Sequence, residues 1–160
     1  MLSTSEAVPS FVEAMKKTRW IPSLYAALMA LVACGGDSSA GSGSVDVTLR
    51  DFAIEPSVAR IEPGFVAWNA VNVSDDRTHE FVIVRTDLPG DDLPTKNNGA
   101  VDIAADGLTF VGQILDLAAG DTRTAHYEVS AGAYVLFCSV VGPDVGAHYG
   151  QGMYVAFTVG

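Results

Sequence analysis

The sequence predicts an all-β protein, a two-sheet Greek-key β-sandwich or barrel that follows an N-terminal signal segment. Apolar and polar residues alternate along many short segments after residue 45. Turn residues separate these segments, and none of them carries an apolar stripe of helical period once the signal is set aside. About seven short strands over roughly 115 residues are typical of such a sandwich.

The first half of the domain contains four predicted strands that end at turn residues. They cover residues 45–49, 58–61, 65–73 and 80–86. Pro63-Gly64 marks the turn before the third strand, which contains Trp68. The alternation predicts antiparallel pairing in which one face of each strand is buried.

A polar stretch over residues 87–107 follows the fourth strand and contains Gly and Pro. It is too long for a hairpin turn and is predicted to be a surface excursion between the sheets. The alternation then resumes in four more predicted strands. They cover residues 110–117, 122–129, 133–140 and 153–159.

The N-terminal segment has the layout of an export signal. Lys16, Lys17 and Arg19 precede an apolar run over residues 20–33, which is short for a membrane span. Residues 31–35, with Cys34 among them, resemble a bacterial lipobox, in which the cysteine is lipidated after cleavage. Residues 1–34 are therefore predicted to be a lipoprotein signal segment. Because acidic residues precede the basic ones, translation is expected to start at Met15.

Two alternatives to lipidation stay open at this stage. The apolar run can remain as a membrane span, or Cys34 can form a disulfide with Cys138 in an oxidising compartment. Lipidation predicts an exported protein that is anchored to the bacterial membrane and faces the periplasm or the cell exterior. Cys138 then has no partner cysteine.

Residues 35–44 are small and polar and are predicted to form a flexible linker, and residues 45–160 form a single domain. Residues 35–160 carry six basic and seventeen acidic side chains, which gives a formal net charge of −11. This charge disfavours nucleic acid and anionic lipid as direct partners. It favours a redox partner with a basic docking surface, although solubility alone also explains acidic side chains.

Four side chains of the domain form a donor set that suits copper. Cys138, His148 and Met153 follow one another near the C-terminus, and His79 lies far upstream. A thiolate, two imidazoles and a thioether suit an ion that alternates between Cu(I) and Cu(II). His79 has the parity of Phe81 at a strand start, and Cys138 ends a strand, so both are expected at one pole of the sandwich.

These residues resemble the cupredoxins, the blue copper proteins related to plastocyanin and azurin. The match covers roughly residues 45–159, and its most specific part is Gly132-x-Tyr134, Cys138, His148 and Gly152-Met153. The resemblance implies one type 1 copper, with His79, Cys138 and His148 as strong ligands and Met153 as the weak axial ligand.

Two features depart from the family pattern. Nine residues separate Cys138 from His148, which makes a longer loop than is usual in the family. Glu80 also occupies the place of an asparagine that braces the cysteine loop in plastocyanin and azurin. The resemblance further implies that electrons leave through His148. Candidates for an apolar docking patch around it are Tyr149, Val140, Val141 and Val145, although burial against the core is an equally simple interpretation of the valines. His126 is predicted to be exposed on the polar face of its strand.

The predicted function is to carry single electrons between periplasmic or membrane-bound redox partners. The alternative is a copper carrier or storage protein without a redox role, although the sequence has no Met- or His-rich tract. An enzymatic role is not expected, because Phe137 and Ser139 flank the cysteine where multicopper oxidases have histidines. A zinc site is disfavoured because a thioether is a poor zinc ligand.

Overall fold

The structure, a computed structural model, describes residues 43–160. The predicted signal segment 1–34, with Met15 and Cys34, and residues 35–42 of the predicted linker lie outside this range. Eleven strands and one 3₁₀ helix are assigned within it. They are β1 Gly43–Arg50, β2 Ala53–Pro56, β3 Arg60–Ile61, β4 Gly64–Asn72, β5 His79–Arg85, β6 Thr109–Leu117, β7 Thr122–Val129, β8 Gly132–Phe137, β9 Val141–Gly142, β10 Gly146–Ala147, the 3₁₀ helix Tyr149–Gln151, and β11 Tyr154–Val159.

The main strands form two sheets, which confirms the predicted two-sheet all-β fold. One sheet has the order β2-β1-β4-β7 and the other β3-β11-β8-β5-β6, while β9 and β10 form a small separate ribbon. The predicted strands correspond to β1 and β3–β8 and β11, with ends that shift by a few residues. Gly43 and Ser44, predicted to end the linker, already belong to β1.

The prediction of purely antiparallel pairing is wrong for two pairs of strands. β1 pairs with β4, and β3 pairs with β11, in parallel. The chain passes from β1 and β2 in one sheet to β3 in the other before it returns as β4. This crossover lets β4 run in the same direction as β1, which a hairpin does not allow.

The main core lies between the two sheets. Val47, Trp68, Phe81 and Leu136 are at most 1% exposed, and Trp68 packs against Phe81 and Phe157 with ring centres 5.7 and 5.4 Å apart. Burying several large apolar side chains of this kind contributes roughly 1.5–3 kcal/mol each. His79, Cys138 and Met153 have no exposed surface, and Cys138 and Met153 belong to this core.

A second apolar cluster covers the opposite face of the five-stranded sheet. Val82, Val84 and Val135 of β5 and β8 pack there with Leu93 and Val101 of the excursion. The predicted surface excursion 87–107 therefore acts as a cover for this sheet. Because β5 and β8 are buried on both faces, their sequences are nearly continuous apolar runs.

Candidate metal centre

The candidate ligands meet at one pole of the sandwich, as the strand register predicts. His79 is the first residue of β5, and Cys138 follows the last residue of β8. These strands are antiparallel neighbours, with Val82 opposite Phe137, so the start of β5 and the end of β8 lie at the same edge. The loop that follows Cys138 brings back His148, which is only 2% exposed.

Three donor atoms of these side chains converge on one point. His79 Nδ1 lies 3.2 Å from His148 Nδ1, and Cys138 Sγ lies 3.8 and 3.5 Å from these two nitrogens. All three atoms are within 4.8 Å of one another. Metal bonds to imidazole and thiolate are about 2.0–2.3 Å long in zinc proteins, so a single ion can reach all three atoms.

Met153 is held next to the other three residues through its backbone. Its N–H donates to the His148 carbonyl at 3.1 Å, and its carbonyl accepts the Cys138 N–H at 3.0 Å. The side chain is fully buried in the same core cluster as Cys138. The loop that begins at Cys138 is thus closed at its far end by one hydrogen bond that Met153 donates and one that it accepts.

Burial sets the protonation state of these groups in the metal-free chain. It raises the pKa of the Cys138 thiol to about 11. Burial also lowers the pKa of both imidazoles, and for His79 the charge of His148 lowers it further. At neutral pH the site therefore holds a neutral thiol and neutral imidazoles, and a bound cation has to displace the thiol proton.

Further polar contacts fix the orientation of the ligands. Ser74 Oγ lies 2.7 Å from His79 Nε2, so this nitrogen carries its proton toward the serine when Nδ1 binds a metal. The Glu80 N–H donates to Cys138 Sγ at 3.3 Å, and the Ser139 hydroxyl donates to the Glu80 carboxylate. Glu80 thus braces the cysteine loop through Ser139.

Sequence reasoning missed two of the residues that support the site. Ser74 lies in an irregular connection, where no periodic pattern reveals its contact with His79. Asn72 is fully buried, and its Nδ2 donates to the carbonyls of Arg77 and Leu117 at 2.7 and 2.9 Å. A polar residue at the end of an apolar strand is the only signal in the sequence that points to this bracing role.

His148, the residue through which electrons are expected to leave, is less exposed than that role predicts. A surface cleft of about 390 Å³ is lined by His148 together with Arg77, Val140, Val141 and Asp144. A Cβ atom at Gly142 would lie 3.7 Å from His148 Nε2, so this edge of the ring faces the cleft wall. His148 is thus recessed, since it lines the cleft with only 2% of its surface exposed.

Not all of the residues predicted to form the docking patch lie at the surface. Tyr149, a candidate for this patch, is 6% exposed and packs in the second cluster, whereas Val141 is 40% exposed. The inclusion of Tyr149 in the docking patch was therefore wrong. His126 is exposed on β7, as predicted.

Solved structures of auracyanins share the fold of this chain. The dithionite-reduced auracyanin from the photosynthetic bacterium Roseiflexus castenholzii aligns with a TM-score of 0.52 at 18% identity, over 75% of this chain and 99% of that chain. Auracyanin B aligns with a TM-score of 0.51 at 18% identity, over 74% of this chain and 88% of that chain. No protein-family model and no curated protein matches the sequence.

The domain therefore has the cupredoxin fold that the auracyanins have. Its buried donor set of one thiol and two imidazoles, with a methionine beside them, fits one type 1 copper ion. Within residues 43–160, no helix is long and apolar enough to cross a membrane.

Proposed function

We propose that this protein is a type 1 copper protein that carries single electrons between redox partners. The observation that supports this most strongly is the convergence of His79 Nδ1, Cys138 Sγ and His148 Nδ1 within 4.8 Å inside a buried pole. Copper bound there would alternate between Cu(II) and Cu(I) by accepting and releasing one electron. We propose Met153 as its weak fourth ligand.

The protein residues supply a rigid and mostly dry site for this chemistry. The ligands are held by strand ends, by the hydrogen bond that His79 Nε2–H donates to Ser74 and by the one that the Glu80 N–H donates to Cys138, so they need little rearrangement when the charge changes. His148 faces the cleft with one ring edge and is the proposed exit for electrons. Asp76 and Asp144 line the same cleft beside Arg77, which leaves one negative charge in excess there and favours a partner with a basic surface.

The colour of the copper-loaded protein tests the proposed site. Added Cu(II) is expected to give a strong thiolate-to-copper absorption band toward the red end of the visible spectrum. Cys138→Ser is expected to abolish this band, and Cys34→Ser, the matched control, is expected to keep it. Protein that stays colourless and binds no copper, or a band that survives Cys138→Ser, would contradict the proposal.

Electron exchange separates a carrier from a storage protein. We expect rapid exchange with a basic cytochrome, at a rate that falls as the salt concentration rises. A storage protein would load and release copper without rapid exchange.

We also propose that the protein is exported and tethered to the membrane by lipid on Cys34. The lipobox-like residues 31–35 support this proposal. Cys34→Ser is expected to move the protein from the membrane fraction to the soluble fraction, and an unchanged distribution would contradict lipid anchoring.

A further inference from the structure

Arg77 joins three segments of the chain that are far apart in sequence. It lies in the connection between β4 and β5, and its Nη1 donates to Asp144 Oδ2 at 3.2 Å. Its Nε donates to Asp51 Oδ2 at 3.3 Å. Asp144 belongs to the extended loop between Cys138 and His148, and Asp51 to the turn between β1 and β2. The Arg77 guanidinium therefore links the extended loop to the turn between β1 and β2.

The same turn places Phe52 against a proposed copper ligand. The Phe52 ring meets the His148 ring edge-on, with centres 5.4 Å apart and planes at 89°. Arg77 Cζ lies 5.5 Å from the centre of the Phe52 ring. Phe52 has a φ of 60°, in the left-handed region. This conformation costs roughly 1–2 kcal/mol for a residue other than glycine, so it persists only where surrounding contacts hold it.

Besides the Arg77 contacts, one side-chain hydrogen bond within residues 43–160 holds the loop near its tip, from Gln151 Nε2 to the Val145 carbonyl at 3.0 Å. Pro143 and Asp144 are exposed, and Gly142, Val145 and Gly146 are only partly buried. The ribbon of β9 and β10 pairs only two residues on each side. An isolated surface ion pair contributes about 0–1 kcal/mol. The Arg77 side chain, however, is only 27% exposed, contacts two carboxylates and packs over an aromatic ring.

We infer that Arg77 is a positioning residue that clamps the extended loop onto the turn at Phe52 and thereby fixes the imidazole of His148 beside Cys138. The clamp is a property of the metal-free chain, and its consequence for copper rests on the proposed function. Loss of the clamp loosens the loop without removing a ligand.

Amide hydrogen exchange in the metal-free full chain tests this clamp. In Arg77→Met the amides of His148 and Met153, which donate to Val140 and His148 carbonyls, are expected to exchange about five-fold faster. Amides in the middle of β5 and β8 are expected to keep their rates, since they report global unfolding. Equal loop rates in Arg77→Met and the natural chain would overturn the inference.

Arg50→Met is a matched control on the β1–β2 hairpin itself, since it removes an ion pair within the hairpin and leaves the Arg77 contacts with Asp51 and Asp144 in place. Arg50 Nη2 pairs with Glu55 Oε2 at 3.0 Å, and within residues 43–160 neither side chain forms a hydrogen bond or ion pair with the extended loop. This variant removes an arginine and an ion pair but is expected to leave the loop amides unchanged. If both variants accelerated loop exchange equally, the effect would come from lost charge in general and the clamp would be refuted.

Asp144→Asn tests the loop side of the same contact. This variant is expected to accelerate exchange as Arg77→Met does, and the double variant is expected to add little more, because both changes remove one interaction. Fully additive effects would contradict the clamp.

Copper release connects the clamp to the proposed function. Transfer of copper to an excess of chelator is expected to be several-fold faster from Arg77→Met than from the natural chain or Arg50→Met. Unchanged release would show that the loop does not limit access to His148, and would overturn the positioning role. If the natural chain bound no copper, the proposed function would fail, while the exchange experiment would still decide the clamp.

Discussion

Glu80 is the residue that most clearly separates this site from the pattern of plastocyanin and azurin. Its N–H donates to Cys138 Sγ at 3.3 Å, and its carboxylate accepts a hydrogen bond from Ser139. Glu80 and Ser139 together thus brace the cysteine loop in this chain. With glutamate at position 80, a carboxylate also lies near the Cys138 sulfur.

Glu80→Gln is expected to raise the reduction potential of the copper-loaded protein. Removal of a negative charge near the thiolate favours the less positive reduced ion, and glutamine can still accept the Ser139 hydrogen bond. Voltammetry measures the change directly. Glu128→Gln removes an exposed charge from β7 and is expected to leave the potential nearly unchanged. A lower potential in Glu80→Gln would contradict this electrostatic argument.

At the scale of elements, Tyr149 links the excursion 87–107 by hydrogen bonds to the end of the extended loop between Cys138 and His148. The Tyr149 hydroxyl accepts the Leu93 N–H and donates to the Gly90 carbonyl, both at 2.9 Å. The ring packs near Phe137 and Tyr154, with centres 6.1 and 5.3 Å away. Tyr149, which directly follows His148, therefore connects the extended loop to the excursion that covers the second cluster.

Tyr149→Phe is expected to lower the free energy of unfolding by about 1–3 kcal/mol, because the buried Leu93 N–H loses its partner. Thermal unfolding measures this loss. Tyr154→Phe is the matched control, since the Tyr154 hydroxyl makes no hydrogen bond within the described residues, and it is expected to change the stability little. Equal losses in the two variants would indicate that only the removal of a hydroxyl matters.

The strand pattern predicts the elements near the site well and the connections poorly. His79 and Cys138 are expected at one edge because the first starts a strand and the second ends one, and on the core face because their parities match those of Phe81 and Leu136; this placement is observed. β2 was missed because Ala53–Pro56 is short and contains proline. The 3₁₀ helix Tyr149–Gln151 was missed because three residues give no measurable period.

At the scale of the whole molecule, copper is expected to stabilise the fold through the groups it joins. The proposed ligands come from β5, from the end of β8 and from the segment before β11, so an ion bound to the folded state opposes separation of these elements. Free copper at 100 times its dissociation constant contributes about 2.7 kcal/mol. Removal of copper with a chelator is thus expected to lower the melting temperature, as calorimetry can show.

Cys138→Ser provides the control for this prediction. It removes the thiolate, so the melting temperature of this variant is expected to respond little to copper. A similar increase in the variant would point to binding elsewhere on the acidic surface.

The sequence by itself determined the all-β class, the donor set and the pole at which His79 and Cys138 lie, because side-chain alternation along a strand is a local property. Only the tertiary structure decided the parallel pairing of β1 with β4, the cover formed by residues 87–107 and the recessed position of His148. The contacts of Arg77 with Asp51 and Asp144 belong to this second group. They join segments 26 and 67 residues apart, and no local pattern encodes such contacts, which form only when the packed sheets bring those segments together.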